Sequence, residues 1–91
     1  MFHVLTLTYL KPLDVIDETR PAHLEWLANE VDAGRILLAG RVEDQTGAVL
    51  ITGDLSGEEA DALAAADPYS QAEVVSYDRT SFNGAFRAQG L

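Results

Sequence analysis

Ile36-Leu-Leu-Ala-Gly-Arg-Val-Glu43, then Asp44-Gln-Thr-Gly47, then Ala48-Val-Leu-Ile-Thr-Gly-Asp54 is the stretch that decides the fold. Two apolar runs are separated by four residues of turn composition, the pattern of an antiparallel hairpin. Upstream, Pro21 suits the first turn of a helix. Leu24, Leu27, Ala28 and Val31 follow at three- and four-residue spacing, until Gly34 supplies a stop. Before that helix, Phe2 to Tyr9 is rich in β-branched and aromatic residues and runs toward Pro12, as a strand entering a loop does. Downstream, Ser56 and Glu59 form a capping box that starts a second helix. Ala60, Leu63 and Ala64 give that helix its apolar stripe, and Pro68 disfavours helical geometry at Asp67. Glu73 to Tyr77 reads as a fourth strand. The tail from Ser81 to Leu91, with Asn83, Gly84 and Gly90, suits either a short added strand or an arm.

Strand, helix, strand, strand, helix, strand is the split βαβ order of the ferredoxin-like α+β folds, with two helices on one face of an antiparallel sheet. The 91 residues, 47% of them hydrophobic, fit one domain over 1–91. Such a domain buries roughly 60 to 65% of its unfolded surface and gains from a partner. The strands reinforce that expectation. In the first, Phe2, Val4, Thr6 and Thr8 alternate with His3, Leu5, Leu7 and Tyr9; in the second, Ile36, Leu38 and Val42 alternate with Leu37 and Ala39. Neither side is cleanly polar, so both faces of the sheet are expected to be covered, the second by another subunit in a homodimer.

Fifteen acidic residues against six basic ones give a formal charge of -9, which argues against nucleic acid and anionic membrane surfaces as partners. Glu18, Glu25, Asp32, Glu58, Glu59 and Asp61 are expected on solvated helix faces. The chain has no cysteine, which removes disulfides and thiolate chemistry. Met1 to Leu10 is interrupted by His3, Thr6 and Thr8 and lacks the character of a signal peptide, so a cytoplasmic location is expected.

His23 falls at the edge of the first helix's apolar face beside Trp26 and Leu27, and an imidazole is the most versatile acid–base group in this inventory. His3, near the chain end, reads as structural. Asp67 follows the second helix directly, a poor place for a carboxylate because the helix dipole is negative there. Its charge can be compensated by a partner such as His23, or Asp67-Pro68-Tyr69 can be turn chemistry in which the carboxylate caps local amides. Spacing leaves both open. No metal-ligand spacing, phosphate-cradling loop or nucleophile elbow is present, so neither metal nor cofactor is expected.

In sequence order, Arg20-Pro21-Ala22-His23-Leu24-Glu25-Trp26-Leu27, Leu38-Ala39-Gly40 and Asp67-Pro68-Tyr69 resemble the YciI-like (YCII-related) family over nearly the whole chain. The resemblance implies a dimeric ferredoxin-like α+β barrel, two sheets packed face to face, with a shared histidine and aspartate as its active site. His23 and Asp67 match those positions. Some members resemble dehydrochlorinase-type enzymes acting on chlorinated hydroxyquinones, and many have no assigned reaction; the Ser81 to Leu91 tail departs from shorter members. The implied activity is cofactor-independent lyase or isomerase chemistry on a small cyclic or phenolic compound. His23 would be the acid–base and Asp67 its orienting partner, with Trp26, Tyr69 and Tyr9 shaping an aromatic pocket. The alternatives are a non-catalytic dimeric ligand-binding or structural protein using the same cleft, and cofactorless oxygenation.

Overall fold

The computed structural model describes residues 1–91. Its elements are β1 (Phe2–Tyr9), α1 (Leu13–Asp32), β2 (Ile36–Arg41), β3 (Gly47–Thr52), α2 (Gly57–Ala66), α3 (Pro68–Gln71) and β4 (Val75–Phe82). The four strands form one antiparallel sheet in the order β2-β3-β1-β4, the ferredoxin-like arrangement expected from the sequence. The β2–β3 hairpin is present, and Gly47 is required in it. A Cβ there would run into the Leu7 carbonyl of the neighbouring strand. The Ser56–Glu59 capping box is formed in full and starts α2.

One face of the sheet carries Leu5, Leu7, Ile36, Ala48, Leu50 and Val75, which pack against Ile16, Leu63 and Tyr69 from the helices. Each large aliphatic side chain removed from water here contributes about 1.5 to 3 kcal/mol. The opposite face has no helix on it. Phe2, Val4, Leu38, Val49, Ile51 and Phe82 make one end of that face apolar, while Thr6, Thr8, Ser76 and Asp78 make the other polar.

Four expectations are corrected by the structure. Pro21 does not start a helix: α1 begins eight residues earlier, after an extended Pro12, and Pro21 lies in its interior. The missing amide forfeits one bond to the Asp17 carbonyl. The helix continues because Ile16 before the proline and His23 after it both reach the core. The expected core stripe of α1 is also displaced, since Leu24 and Val31 are 48% and 45% exposed and Leu27 only half-buried. The inward line instead runs through Ile16, Arg20, His23 and Leu27. In β2, a bulge between Ile36 and Leu38 moves these two residues to opposite faces, which is why no single alternation held along that strand. Finally, β4 begins at Val75 rather than Glu73, whose φ of 59° takes it out of extended geometry, and it runs on to Phe82. Its polar sequence is tolerated because it is an edge strand, paired only with β1 from Tyr9↔Val75 to Phe2↔Phe82.

Beyond β4 the tail forms no further strand. It arches over the helix-free face as an arm, with the Arg87 guanidinium 4.9 Å from the centre of the Phe2 ring. With Phe2, Leu38, Ile51 and Phe82 the arm encloses a mainly apolar hollow of about 430 Å³.

The corrected phase of α1 separates two substitutions. Ile16→Ala is expected to lower unfolding stability by about 2 to 5 kcal/mol, whereas Leu24→Ala should cost less than about 1 kcal/mol. Urea unfolding of the two variants checks this, and equal midpoints would place the inward line of the helix elsewhere.

Candidate functional site

Asp67 sits at a joint. It is the C-cap of α2 and, through Pro68 at the first helical position, the N-cap of α3. Its Oδ1 accepts from the Tyr69 amide at 2.9 Å, so the positive end of the short helix offsets the negative end of the one before. The same oxygen lies 2.7 Å from His23 Nδ1, and Oδ2 accepts from the Tyr77 hydroxyl. Both compensations left open by the sequence therefore operate, on one atom.

Asp67 is fully buried and His23 is 4% exposed. Every group around the carboxylate donates to it, so in a neutral imidazole the His23 proton sits on Nδ1 and Nε2 is the acceptor nitrogen. Nε2 makes no hydrogen bond within the protein. The imidazole is held flat against Tyr69, the rings stacked at 4.0 Å between centroids and 16° between planes. Position, tautomer and ring plane are all set by α3 and its cap.

His23 opens on a cavity of about 190 Å³, lined also by Arg20, Leu24, Leu27, Ala39, Gly40, Arg41, Ala48, Leu50 and Tyr69. A dry cavity of roughly 150 Å³ takes a benzene ring, so the space suits one six-membered ring with small substituents. Tyr69 thus lines the cavity as well as backing the histidine. Trp26 and Tyr9 do not line it: Trp26 lies 5.8 Å from His23 between ring centroids, and Tyr9 presents an edge to Tyr69 at 6.1 Å. Tyr9 instead positions Arg41, whose Nε donates to the tyrosine hydroxyl at 3.0 Å while its terminal nitrogen donates to Asp17 at 2.7 Å.

Tyr77, Arg20 and Arg41 were not among the site residues expected from the sequence, although Arg20 opens the first of the three family motifs. Tyr77 had a usable signal: once β4 is followed to Phe82, Val75, Tyr77, Arg79 and Ser81 share the inward face. His3 occupies the far end of the sheet, fully buried, with Ser81 Oγ at 2.8 Å from Nδ1 and the Leu55 carbonyl at 2.8 Å from Nε2. Both of its ring nitrogens are engaged. No three His, Asp or Glu side chains are grouped so as to hold a metal ion, and no helix is long and apolar enough to cross a membrane.

The fold and the buried histidine–carboxylate pair define the chain as a ferredoxin-like α+β protein with a small, partly open cavity beside that pair. The YCII-related domain model matches residues 1–81, and the chain belongs to that family. A "12 kDa protein" of Mycolicibacterium smegmatis is 79% identical over 24 residues, which are the whole of that sequence and 26% of this chain. Among solved structures, 5-chloro-2-hydroxyhydroquinone dehydrochlorinase from Burkholderia phenoliruptrix AC1100, in complex with 2,5-dihydroxybenzoquinone, aligns with a TM-score of 0.71. The alignment covers 89% of this chain and 93% of that one at 22% identity, a likeness of fold.

Tyr77 is held firmly to its role. Burial first, and then the Asp67 charge and hydrogen bond, push its hydroxyl far above the ordinary phenol range; burial, reinforced by Tyr9, also raises Tyr69. In the folded protein both hydroxyls keep their protons at a pH where the unfolded chain releases them, near pH ~10. Above that pH the folded state binds more protons than the unfolded state, so stability falls as pH rises. Tyr77→Phe should cost about 1 to 3 kcal/mol at neutral pH through the lost bond to Asp67. It should also shrink the loss of stability between about pH 9 and about pH 11. Urea titrations at the two pH values measure both effects.

Proposed function

We propose that this protein is a cofactor-independent acid–base enzyme, of lyase or isomerase type, acting on a small cyclic compound of phenol or quinone class. The observation that carries this reading is the His23 Nδ1 to Asp67 Oδ1 bond of 2.7 Å at the wall of a one-ring cavity. His23 Nε2 takes a proton from a ring hydroxyl or ring carbon, and the imidazolium so formed is stabilised by Asp67. Where a substituent departs with its bonding pair, the same proton is returned to the product side or to water. Positioned proton transfer of this kind is worth about 10²- to 10⁴-fold in rate. The dehydrochlorinase that shares the fold supports the ring class, since its structure holds a dihydroxybenzoquinone.

The test is turnover of a panel of hydroxylated and chlorinated hydroquinones and quinones, followed by absorbance and by chloride release. His23→Ala should lose at least about a hundredfold in rate while still folding cooperatively, with a stability loss of about 1 to 3 kcal/mol from the donor taken away from Asp67. Loss of folding together with loss of rate would make His23 part of the scaffold. Binding of panel compounds without turnover would instead favour a ligand-binding protein that uses the same cleft.

The proposal extends to assembly: residues 1–91 act as one domain, and two copies join across the helix-free sheet face. On that face Leu38 is 62% exposed and Phe82 42%, and Phe86 of the arm is wholly exposed. Apolar groups so concentrated are uncommon on a free monomer surface. Sedimentation at micromolar concentration should show a dimer, and Leu38→Glu should shift it toward monomer. A parent protein that sediments as a stable monomer would refute the interface.

A further inference from the structure

The cavity beside His23 is charged on its other side. The chain holds six basic residues against fifteen acidic ones, yet Arg20 and Arg41 both line this one small space. Arg41 is fixed by Asp17 and Tyr9, which set its direction without using all five of its donors. Arg20 makes no hydrogen bond or ion pair with any of the fifteen carboxylates, although six of them, Asp14, Asp17, Glu18, Glu25, Glu30 and Asp32, stand on the same helix. It is half-buried at the cavity wall. Tyr69 adds a third polar group, 1% exposed, with a buried hydroxyl whose proton finds no acceptor and which sits close to the Arg41 guanidinium. Arg41 and Arg20 lie near enough to oppose the effect of burial on that hydroxyl.

A buried hydroxyl without a partner costs about 1 to 3 kcal/mol, and a half-buried cation without a counterion is likewise unfavourable. Two cations and one orphaned hydroxyl around a one-ring space are resolved together by a single kind of ligand. We propose that Arg20, Arg41 and the Tyr69 hydroxyl form an anion-recognition wall, so that the substrate is a ring bearing an ionised oxygen, a phenolate or hydroxyquinone anion rather than a neutral phenol. This rests on the reading of the cavity as the substrate site. The anionic oxygen receives the Tyr69 proton donor and the guanidinium charges, while His23 Nε2 faces another position of the ring. The wall selects the ionised form and lowers the energy of negative charge that develops on that oxygen when His23 removes a proton elsewhere.

4-Nitrophenol is a suitable probe, because its phenol and phenolate forms differ in absorbance and interconvert near neutral pH. Nitrobenzene supplies the same ring without the ionisable oxygen. Quenching of Trp26, the one tryptophan, reports occupancy, and the spectrum of the bound probe reports which form is held. In the parent protein the phenolate should bind at least about tenfold more tightly than the phenol, which moves ionisation of the bound probe about one unit lower in pH. Arg20→Gln should remove most of that preference, with nitrobenzene affinity and thermal unfolding little changed, since Arg20 makes no hydrogen bond or ion pair within the fold. Arg41→Gln and Tyr69→Phe should each reduce it. Equal affinity of the parent for phenol and phenolate, or a preference that survives Arg20→Gln, overturns the anion wall while leaving the ring site standing. If neither nitrophenol nor nitrobenzene binds, the cavity is not a ring site, and both this inference and the reading beneath it fail.

Discussion

The carboxylate of Asp67 is the constraint on which the rest of the site depends. A fully buried acidic group is tolerated only when donors surround it, and here three elements each supply one: His23 from α1, the Tyr69 amide from α3 and the Tyr77 hydroxyl from β4. Removing any one donor leaves the buried carboxylate one hydrogen bond short, at a cost of about 1 to 3 kcal/mol. The phase of α1, the start of α3 and the inward face of β4 are therefore mutually dependent. This explains why the inward line of α1 passes through a polar histidine while Leu24 and Val31 of the same helix face water.

The two histidines show how burial alone differs from chemical availability. His3 is as buried as any residue in the protein, but Leu55 and Ser81 occupy both its ring nitrogens, and Ser81 in turn accepts from Arg79, which pairs with Asp61 on α2. That chain of bonds fastens the edge strand to β1 and α2 and leaves nothing to react. His23 is fastened by one nitrogen only. Its second nitrogen, the cavity beside it and the two arginines opposite are found together at one place in a molecule whose remaining surface is strongly acidic.

The sheet divides these roles between its faces. The helix-covered face carries the core and the site, while the other carries an apolar end over which the arm lies, Phe2 and Phe82 meeting at 6.0 Å between ring centroids. The arm lies beyond the residues that match the family model, which end at 81. Its exposed Phe86 lies outside the matched residues, while the hollow beneath it is walled on one side by Phe2, Leu38 and Ile51 within them.

The amino-acid sequence by itself determined the order of elements apart from the single-turn α3, because hairpin composition, the Ser56–Glu59 cap and apolar periodicity are local signals that local physics enforces. It also pointed to His23 and Asp67 through the resemblance carried by three short motifs. Local signals did not determine which side of α1 faces inward or where β4 begins, since apolar periodicity in α1 competes with a hydrogen bond made 44 residues away and the polar face of β4 hides its strand character. Nor could they place Tyr77 on Asp67 or Arg41 at the cavity. Those positions follow from the pairing of β4 with β1 and from the bulge in β2, and only the assembled sheet brings such distant residues to one wall. The carboxylate of Asp67 had two satisfactory local explanations in the sequence, and the tertiary structure decided that both hold, because a single oxygen at the joint of α2 and α3 lies within reach of the Tyr69 amide and the His23 ring at once.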